Sequence, residues 1–297
     1  MRAAVASDAA PGGRCWICGD ASLVLEKRGN LPPDLSCENF RISDSAYGCT
    51  ADLFLCKACG FRQASDLPDV LRFYQDMDDE AYEHSREARS IQARMLLETV
   101  ARYRAQGRLL DVGAGSGILV AEAARMGFEA EGIEPSGPLC TQAKQYGLNL
   151  HHGILPSASA RGPYDVATVI DVIEHVPDPI GLLRHVRSTL ADGGLVVLVT
   201  PDVSSVMARV LGPRWWHYRI AHIGYFNRQT LNLALRGSGF EPIKVLRPSW
   251  YFPASYLIER TFRYLPRAFR FRPPARLDRW VVPLNLWDSL LVIARRV

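Results

Sequence analysis

Nowhere does the sequence leave fewer options than between Leu109 and Gly117, where Leu-Leu-Asp-Val runs into Gly-Ala-Gly-Ser-Gly. An apolar run that ends in a glycine turn and continues into a helical stretch, Ile118 to Met126, reads as strand, loop, helix. Glycines at alternate positions (Gly113, Gly115, Gly117) let the backbone pass close to a ligand, and the helix start offers unpaired N–H groups. The next apolar strand, Phe128 to Ile133, closes on Glu134, a carboxylate able to accept hydrogen bonds from both hydroxyls of a ribose. The spacing departs from the dinucleotide fingerprint G-x-G-x-x-G. The third glycine comes one residue early, and an acidic residue, Asp111, stands two before the first.

The stretch that follows alternates in the same sense. Ser136 to Tyr146 predicts a helix with Ser136 as N-cap and Gly147 at its C-terminal end, and Leu148 to His152 a short strand. Tyr164 to Ile170 is continuously apolar, as a parallel strand buried on both faces should be, and ends at Asp171. A helix through Leu190, a turn at Asp192-Gly193-Gly194 and a strand from Leu195 to Val199 complete the run. This order predicts an α/β fold, a doubly wound and mostly parallel sheet. Gly113, Glu134, Asp171 and Pro201 all fall at carboxyl ends of strands, where such sheets bind ligands.

Ahead of this domain, Cys15-x-x-Cys18 and Cys56-x-x-Cys59 are each followed by glycine, Gly19 and Gly60. Two such knuckles bring four thiolates within reach of one tetrahedral Zn²⁺, and the glycines allow the tight turns. All four positions are then filled by protein, so the metal is structural. The 37 residues between Cys18 and Cys56 exceed a compact ribbon and predict an insertion. Cys37 and Cys49 lie in that insertion as buried thiols or alternative ligands; a disulfide is disfavoured in a reducing compartment. From Gln63 to Gln106 the sequence is acidic and helical, with Ile91, Met95, Leu96 and Val100 at helical spacing. Tyr82, Arg86 and Arg89 precede that helix as solvated surface or as a lid, in which one arginine, Arg89, would meet a carboxylate of the ligand bidentately.

Residues 1–13 thus read as a loose tail, 14–62 as a zinc-ribbon-like module, 63–106 as a helical linker or lid, and 107–297 as the main domain. No apolar run reaches the length of a membrane span, and the first fourteen residues lack a signal-peptide core, so a cytoplasmic protein is expected. Charge is uneven: Lys244 to Val297 holds eleven basic and three acidic residues of a chain whose net charge is +4.

Asp111–Gly117, Ile133-Glu134-Pro135-Ser136, Tyr164-Asp165, Asp171-x-x-Glu174-His175-Val176-x-Asp178-Pro179, Gly193-Gly194 and Thr200-Pro201 occur in this order. The set resembles the class I S-adenosylmethionine-dependent methyltransferases, in particular their ubiquinone-biosynthesis-like and small-molecule branch. Arg214-Trp215-Trp216 through His222, Tyr225-Phe226, Thr230-Leu231 and Gly239-Phe240 is similar to the same branch. With the cysteine knuckles, the whole resembles bacterial methyltransferases that carry an amino-terminal zinc-binding domain, some of which act on sugars.

The resemblance implies a seven-stranded sheet with its last strand antiparallel, for which Asp288 to Ala294 is the candidate. It implies S-adenosylmethionine held by Asp111, Gly113, Ala114, Gly115, Gly117, Glu134, Pro135, Asp171, Val172 and, in the lid, Arg89. The implied activity is methyl transfer to an oxygen or carbon of a small-molecule, glycan or lipid-linked acceptor. Methyl transfer to a hydroxyl needs a base near neutral pKa or a metal. His222 is the preferred base and His175 the second candidate, each set against a histidine hydrogen-bonded to backbone. The ubiquinone relatives suggest a divalent metal at Asp171, Glu174 and His175. Trp215, Trp216 and Tyr225 are expected to wall the acceptor pocket.

At about residues 248–280, aromatics from Trp250 to Phe271 alternate with Arg260, Arg263, Arg267, Arg270 and Arg272. The pattern fits an amphipathic insertion covering the sheet, or peripheral contact with an anionic bilayer at the inner face of the membrane. The absence of a recognisable RNA-binding motif argues against nucleic acid. Two rivals remain: a nicotinamide-dependent oxidoreductase, against which the glycine spacing speaks, and a non-catalytic protein whose ribbon recruits a partner while the main domain senses cofactor.

Overall fold

The computed structural model describes residues 13–32, 34–41, 47–64, 70–262 and 273–297. The amino-terminal strands β1 (Leu23–Lys27), β2 (Leu53–Cys56) and β3 (Arg62–Ala64) form an antiparallel meander. Three helical pieces follow: α1 (Val70–Gln75), α2 (Glu80–His84) and α3 (Arg86–Ala101). The α/β unit then runs β4 (Gly107–Val112), α4 (Ile118–Arg125), β5 (Phe128–Glu134), α5 (Gly137–Gln145), β6 (Leu150–His152), β7 (Tyr164–Ile170), α6 (Pro179–Thr189) and β8 (Leu190–Pro201). It continues through α7 (Val206–Leu211), β9 (Gly224–Tyr225), α8 (Arg228–Gly237) and β10 (Phe240–Leu246). A hairpin of β11 (Trp250–Pro253) and β12 (Val281–Leu284), with α9 (Ala254–Phe262) between them, leads to β13 (Ser289–Arg296).

The main sheet has seven strands in the order β10-β13-β8-β7-β4-β5-β6. β4 to β8 pair in parallel, whereas β13 lies antiparallel between β8 and β10, as the expected last strand does. Side chains leave the strands alternately. Leu110, Ala167, Val196, Leu198 and Val292 therefore enter one core, and Leu109, Val166, Val197, Val199 and Ile293 enter the other. Each of these is 1% exposed or less, so each leucine, isoleucine or valine contributes roughly 1.5–3 kcal/mol. Ser136 caps α5, accepting from Leu139 N at 3.1 Å, and Asp178 caps α6 through Gly181 N at 2.8 Å.

The expected turn at Asp192-Gly193-Gly194 is instead part of β8. Tyr164 pairs with Leu190 and Val166 with Leu195, so the extra residues sit in an irregular bulge of one strand. Gly193, at φ +71°, supplies the left-handed residue that the bulge requires.

β3 also pairs with β9, Arg62 opposite Tyr225 and Gln63 opposite Gly224, so the cysteine module shares a four-stranded sheet with a segment that follows β8. β3 itself runs past residue 62, the expected edge of the module, to Ala64. The β11–β12 hairpin folds back over α3: Trp250 Nε1 donates to Ser289 Oγ at 3.2 Å and Tyr251 N lies 3.5 Å from Gln92 Oε1. The expected tail, residues 1–12, lies outside the described residues. So do Arg263, Arg267, Arg270 and Arg272 with the aromatics among them, and the Arg260 side chain. Among the described residues no helix is long and apolar enough to cross a membrane.

Candidate active site

One cavity of about 1080 Å³ opens at the carboxyl ends of β4, β5, β7 and β8. Its volume lies at the upper end of the roughly 300–1,000 Å³ range of ligand pockets. At one end is the glycine loop. Gly113 (φ +73°), Gly115 (φ +55°) and Gly117 (φ +77°) all adopt the left-handed backbone. Space is as tight as conformation: a Cβ on Gly113 would lie 2.5 Å from Val172 Cγ2, and one on Gly115 would lie 3.0 Å from Tyr82 Oη.

Glu134 is 4% exposed and ends β5 beside this loop. Its carboxylate accepts from Gly115 N and from Ser136 N, each at 2.8 Å. Burial raises its pKa, opposed by those two N–H groups. Asp111 accepts from Thr168 Oγ1 at 2.6 Å, and burial pushes its carboxyl up to about 7. Gly113, Ala114, Gly115, Glu134, Pro135, Asp171, Val172 and Arg89 all line the cavity, whereas Gly117 does not and serves as the N-cap of α4. Over the loop lies the α2–α3 segment. Arg89 Nε donates to Ser85 Oγ at 2.9 Å and its guanidinium rests 4.2 Å from the centre of the Tyr82 ring. Arg86 Nη1 donates to Ser116 Oγ at 3.1 Å.

The other end is built from histidines and aromatics. His175 Nδ1 lies 2.7 Å from Ala221 O and 2.6 Å from Tyr74 Oη; a carbonyl only accepts, so Nδ1 carries the proton. The His222 ring crosses that of His175 at 4.8 Å and stacks on that of His217 at 5.6 Å. Burial pulls the His175 pKa down to about 3, helped by Arg219, and pulls that of His222 well below the usual range, helped by His175 and Arg219. Neither reaches the near-neutral basicity expected of a base. Asp171, at φ +53°, occupies a conformation that only a well-determined surrounding holds in a non-glycine residue. Burial lifts its carboxyl to about 7, with Arg89 and Arg219 opposing and Asp288 reinforcing.

The metal ligands implied by the resemblance, Asp171 with Glu174 and His175, are not the set that the fold assembles. Among the described residues, ligand atoms of Glu174, His175 and His222 converge within 4.8 Å, and Asp171 stands outside that group. Glu174 accepts from Thr200 Oγ1 at 2.9 Å, and burial with Asp171 raises its pKa well above the usual carboxylate range.

Of the expected wall, Trp216 lines the cavity, whereas Trp215 and Tyr225 are core residues packed against the cysteine module. Phe40, Tyr74, Trp250, Tyr251, Phe252 and Tyr256 are among the other aromatics that line it. No periodicity in the sequence marks Phe40, Tyr74, His217 or Asp288 as site residues. The nearest signal is that His217 adjoins the Trp215-Trp216 pair.

Some way off, Cys15 Sγ and Cys59 Sγ are 3.5 Å apart and Cys18 Sγ and Cys56 Sγ 3.6 Å, all four within 4.8 Å of one another. Four thiolates at Zn–S distances of about 2.3 Å stand roughly 3.8 Å apart, so the cluster fits a tetrahedral ion. Gly19 (φ +73°) and Gly60 (φ +81°) close matching turns onto Cys15 O and Cys56 O, each at 2.9 Å. Cys37 and Cys49 are outside the cluster, and Cys49 Sγ donates to Asn30 O at 3.3 Å.

Residues 82–245 match the methyltransferase-domain family. Among curated proteins, the ubiquinone biosynthesis O-methyltransferase of Caulobacter sp. (strain K31) is 37% identical over 103 residues, 31% of this chain and 40% of that protein. The protein of the same name from Albidiferax ferrireducens is 28% identical over 180 residues, 57% of this chain and 65% of that one. The chain thus spans between 40% and 65% of the length of these curated relatives. Among solved structures, magnesium protoporphyrin IX methyltransferase from Synechocystis PCC 6803 with bound SAH is 16% identical, with a TM-score of 0.48, covering 77% of this chain and 94% of that one. A SAM-dependent methyltransferase from Thermotoga maritima is 17% identical, with a TM-score of 0.48, covering 73% and 93%. Matched over more than half its length, the chain belongs to the methyltransferase-domain family and has the Rossmann-like sheet of the class I S-adenosylmethionine-dependent methyltransferases.

Proposed function

We propose that this protein transfers the methyl group of S-adenosylmethionine to a hydroxyl oxygen of a ring-bearing small molecule. One observation carries the reading: a single cavity joins the glycine loop and Glu134 to a chamber walled by aromatics and histidines. Donor and acceptor can then be held in line, which supplies much of the acceleration of a displacement. Glu134 would exchange the Gly115 and Ser136 N–H groups for, or share them with, the ribose hydroxyls. Asp171 and Arg89 also line the cavity. The apolar walls suit a planar ring, aromatic or glycosyl, and the rings of the β11–β12 hairpin face that cavity, which favours acceptor binding over bilayer contact as their task.

The domain division expected from the sequence enters this proposal with one change of emphasis: the zinc-ribbon-like module is a support for the acceptor chamber. Zn²⁺ at Cys15, Cys18, Cys56 and Cys59 would be structural.

Calorimetric titration of the zinc-loaded protein with S-adenosylmethionine tests the cofactor. Micromolar affinity is expected; nicotinamide cofactors binding more tightly would transfer the chain to the oxidoreductase reading. Transfer of tritiated methyl to a panel of phenols and sugars then tests the acceptor. Cofactor binding without turnover on any hydroxyl, amine or carbon acceptor would leave a cofactor sensor instead.

A further inference from the structure

We infer that residues 76–86 form a strap over the cofactor end of the cavity, held shut by a latch of Glu83, Arg86, Ser116 and Tyr146. The latch sets how fast the cofactor enters and leaves, and not how tightly it is held; the inference rests on the S-adenosylmethionine reading above. At five residues α2 is too short to be stable as an isolated helix, so its place over the glycine loop depends on what fastens it. Asp79 caps it, accepting from Tyr82 N at 3.0 Å. The start of the strap is anchored at Met77, 3% exposed, whose carbonyl accepts from Ser136 Oγ at 2.6 Å beside the first turn of α5. Tyr82 and Ser85 from the strap, and Arg89 from the first turn of α3, line the cavity together with Gly113, Gly115 and Glu134. A ligand on the glycine loop is therefore walled by the strap.

The latch stands outside that wall. Ser116, fully buried between Gly115 and Gly117, donates through its hydroxyl to Glu83 and accepts from Arg86 Nη1 at 3.1 Å. Arg86 Nη1 also lies 3.0 Å from Glu83 Oε2, the two side chains being 23% and 14% exposed. Its guanidinium stands 3.9 Å from the centre of the ring of Tyr146, the residue that ends α5. One arginine thus ties the junction of α2 and α3 to the glycine loop through Ser116 and to α5 through Tyr146. Charge-assisted hydrogen bonds in so sheltered a place are stronger than those of an exposed ion pair. Among the described residues that line the cavity are none of these four.

That placement decides what the latch can do. Touching no ligand, it stabilises the closed strap equally whether the site is filled or empty, and a state stabilised equally in both leaves affinity unchanged. What it raises is the barrier to opening, which every molecule entering or leaving must cross. Loosening the latch should raise the association and dissociation rates by the same factor. Tyr82 differs in kind. A Cβ on Gly115 would lie 3.0 Å from its Oη, so removing this ring alters the wall of the site itself.

The test uses full-length, zinc-loaded protein carrying Arg86→Met, which keeps the apolar stem and removes the charge. S-adenosylhomocysteine is followed by stopped flow through the fluorescence of Trp216 and Trp250, which line the cavity. Both rates should rise about tenfold, as losing a charged hydrogen bond implies, with Kd within about threefold of wild type. Glu83→Gln should act in the same sense and by less. Unchanged rates, or a weaker Kd with an unchanged association rate, overturn the inference. Hydrogen exchange of the unliganded protein is the second arm: residues 78–86 should exchange faster in Arg86→Met while β4 and β5 keep their protection. Unaltered exchange at 78–86 overturns the latch, and so does an equal rise in β4, because Arg86 would then hold the domain and not the strap. This arm needs no ligand, which separates the two possible failures. A wild type that does not bind S-adenosylhomocysteine sinks the cofactor reading, whereas a wild type that binds it, with rates and exchange indifferent to Arg86→Met, sinks only the latch.

Discussion

At the Gly113–Glu134 end of the cavity, the backbone contacts come from one strand–loop–helix–strand unit: Gly113 N and Ala114 N donate to Ile133 O, and Gly115 N to Glu134. At the His217 end they come from far apart, with Phe40, Tyr74, His175, His217, Trp250 and Asp288 converging on one chamber. The first end is a local motif that any chain with this sequence must build in order to form the sheet. The second depends on elements that hold each other. Ala64 N donates to Ile223 O at 2.7 Å, Gly48 N to Tyr218 O at 2.6 Å and Ile223 N to Glu174 O at 2.8 Å. Phe61 packs on Phe226 at 4.9 Å. Among the described residues, Ala64, Gly48 and Phe61 thus tie the cysteine module to the Tyr218–Phe226 side of the cavity.

The largest effect should come from breaking that tie. Structural zinc contributes on the order of 10 kcal/mol to the folding of small zinc modules, so Cys56→Ser should unfold residues 14–64. Hydrogen exchange should rise across 215–226 and methyl transfer should vanish, while S-adenosylmethionine affinity changes by no more than about threefold. Equal loss at both ends would show that the metal folds the whole chain, and the contrast drawn above would fall.

The opposite lesion is Glu134→Ala. Losing a charged pair of hydrogen bonds should weaken S-adenosylmethionine by about tenfold or more in calorimetry, with exchange at 215–226 unchanged. A smaller expected change, Phe40→Ala, removes a fully buried ring stacked on Phe73 at 4.4 Å. It should cost about 3 kcal/mol or more in urea unfolding and raise KM for the acceptor without changing that for the cofactor.

The subtlest effect is in pH. Asp111 holds its proton up to about pH 7 when folded, against an ordinary carboxyl value of 3.8. Its contribution is therefore complete below about pH 4 and is lost as pH rises to 7, where the folded carboxyl also ionises. The stability of the wild type minus that of Asp111→Asn, in apo zinc-loaded protein, should fall between pH 5 and 7 by up to about 1.4 kcal/mol per pH unit and then level off. A difference that is flat with pH would mean that Asp111 is ionised in the fold.

How much was legible in advance follows the same contrast. Glycine at positive φ, an acid closing an apolar strand and the four thiols of two matched knuckles are each dictated by local backbone geometry or by ligand number. They can be read at fixed spacing, whereas the antiparallel last strand was implied only by the family resemblance. The turn expected at Asp192–Gly194 is a bulge because the β7 ladder continues on both sides of it, a pairing no local pattern reveals. His222, expected to be a base, is buried against the His217 carbonyl, and His217, five residues earlier, lies 3.2 Å from a carboxylate 71 residues away in the chain.

By itself, then, the sequence determined the α/β order, the glycine loop with Glu134 and the cysteine cluster, because each is encoded within a window whose own hydrogen bonds or ligands specify it. Only the tertiary structure decided which histidines are buried and what they face, which aromatics face the cavity and what the cysteine module packs against. Those depend on where strands from distant parts of the chain come to lie side by side. Burial and the choice of hydrogen-bond partner, which set the chemistry of a histidine, belong to that assembly and not to the residue.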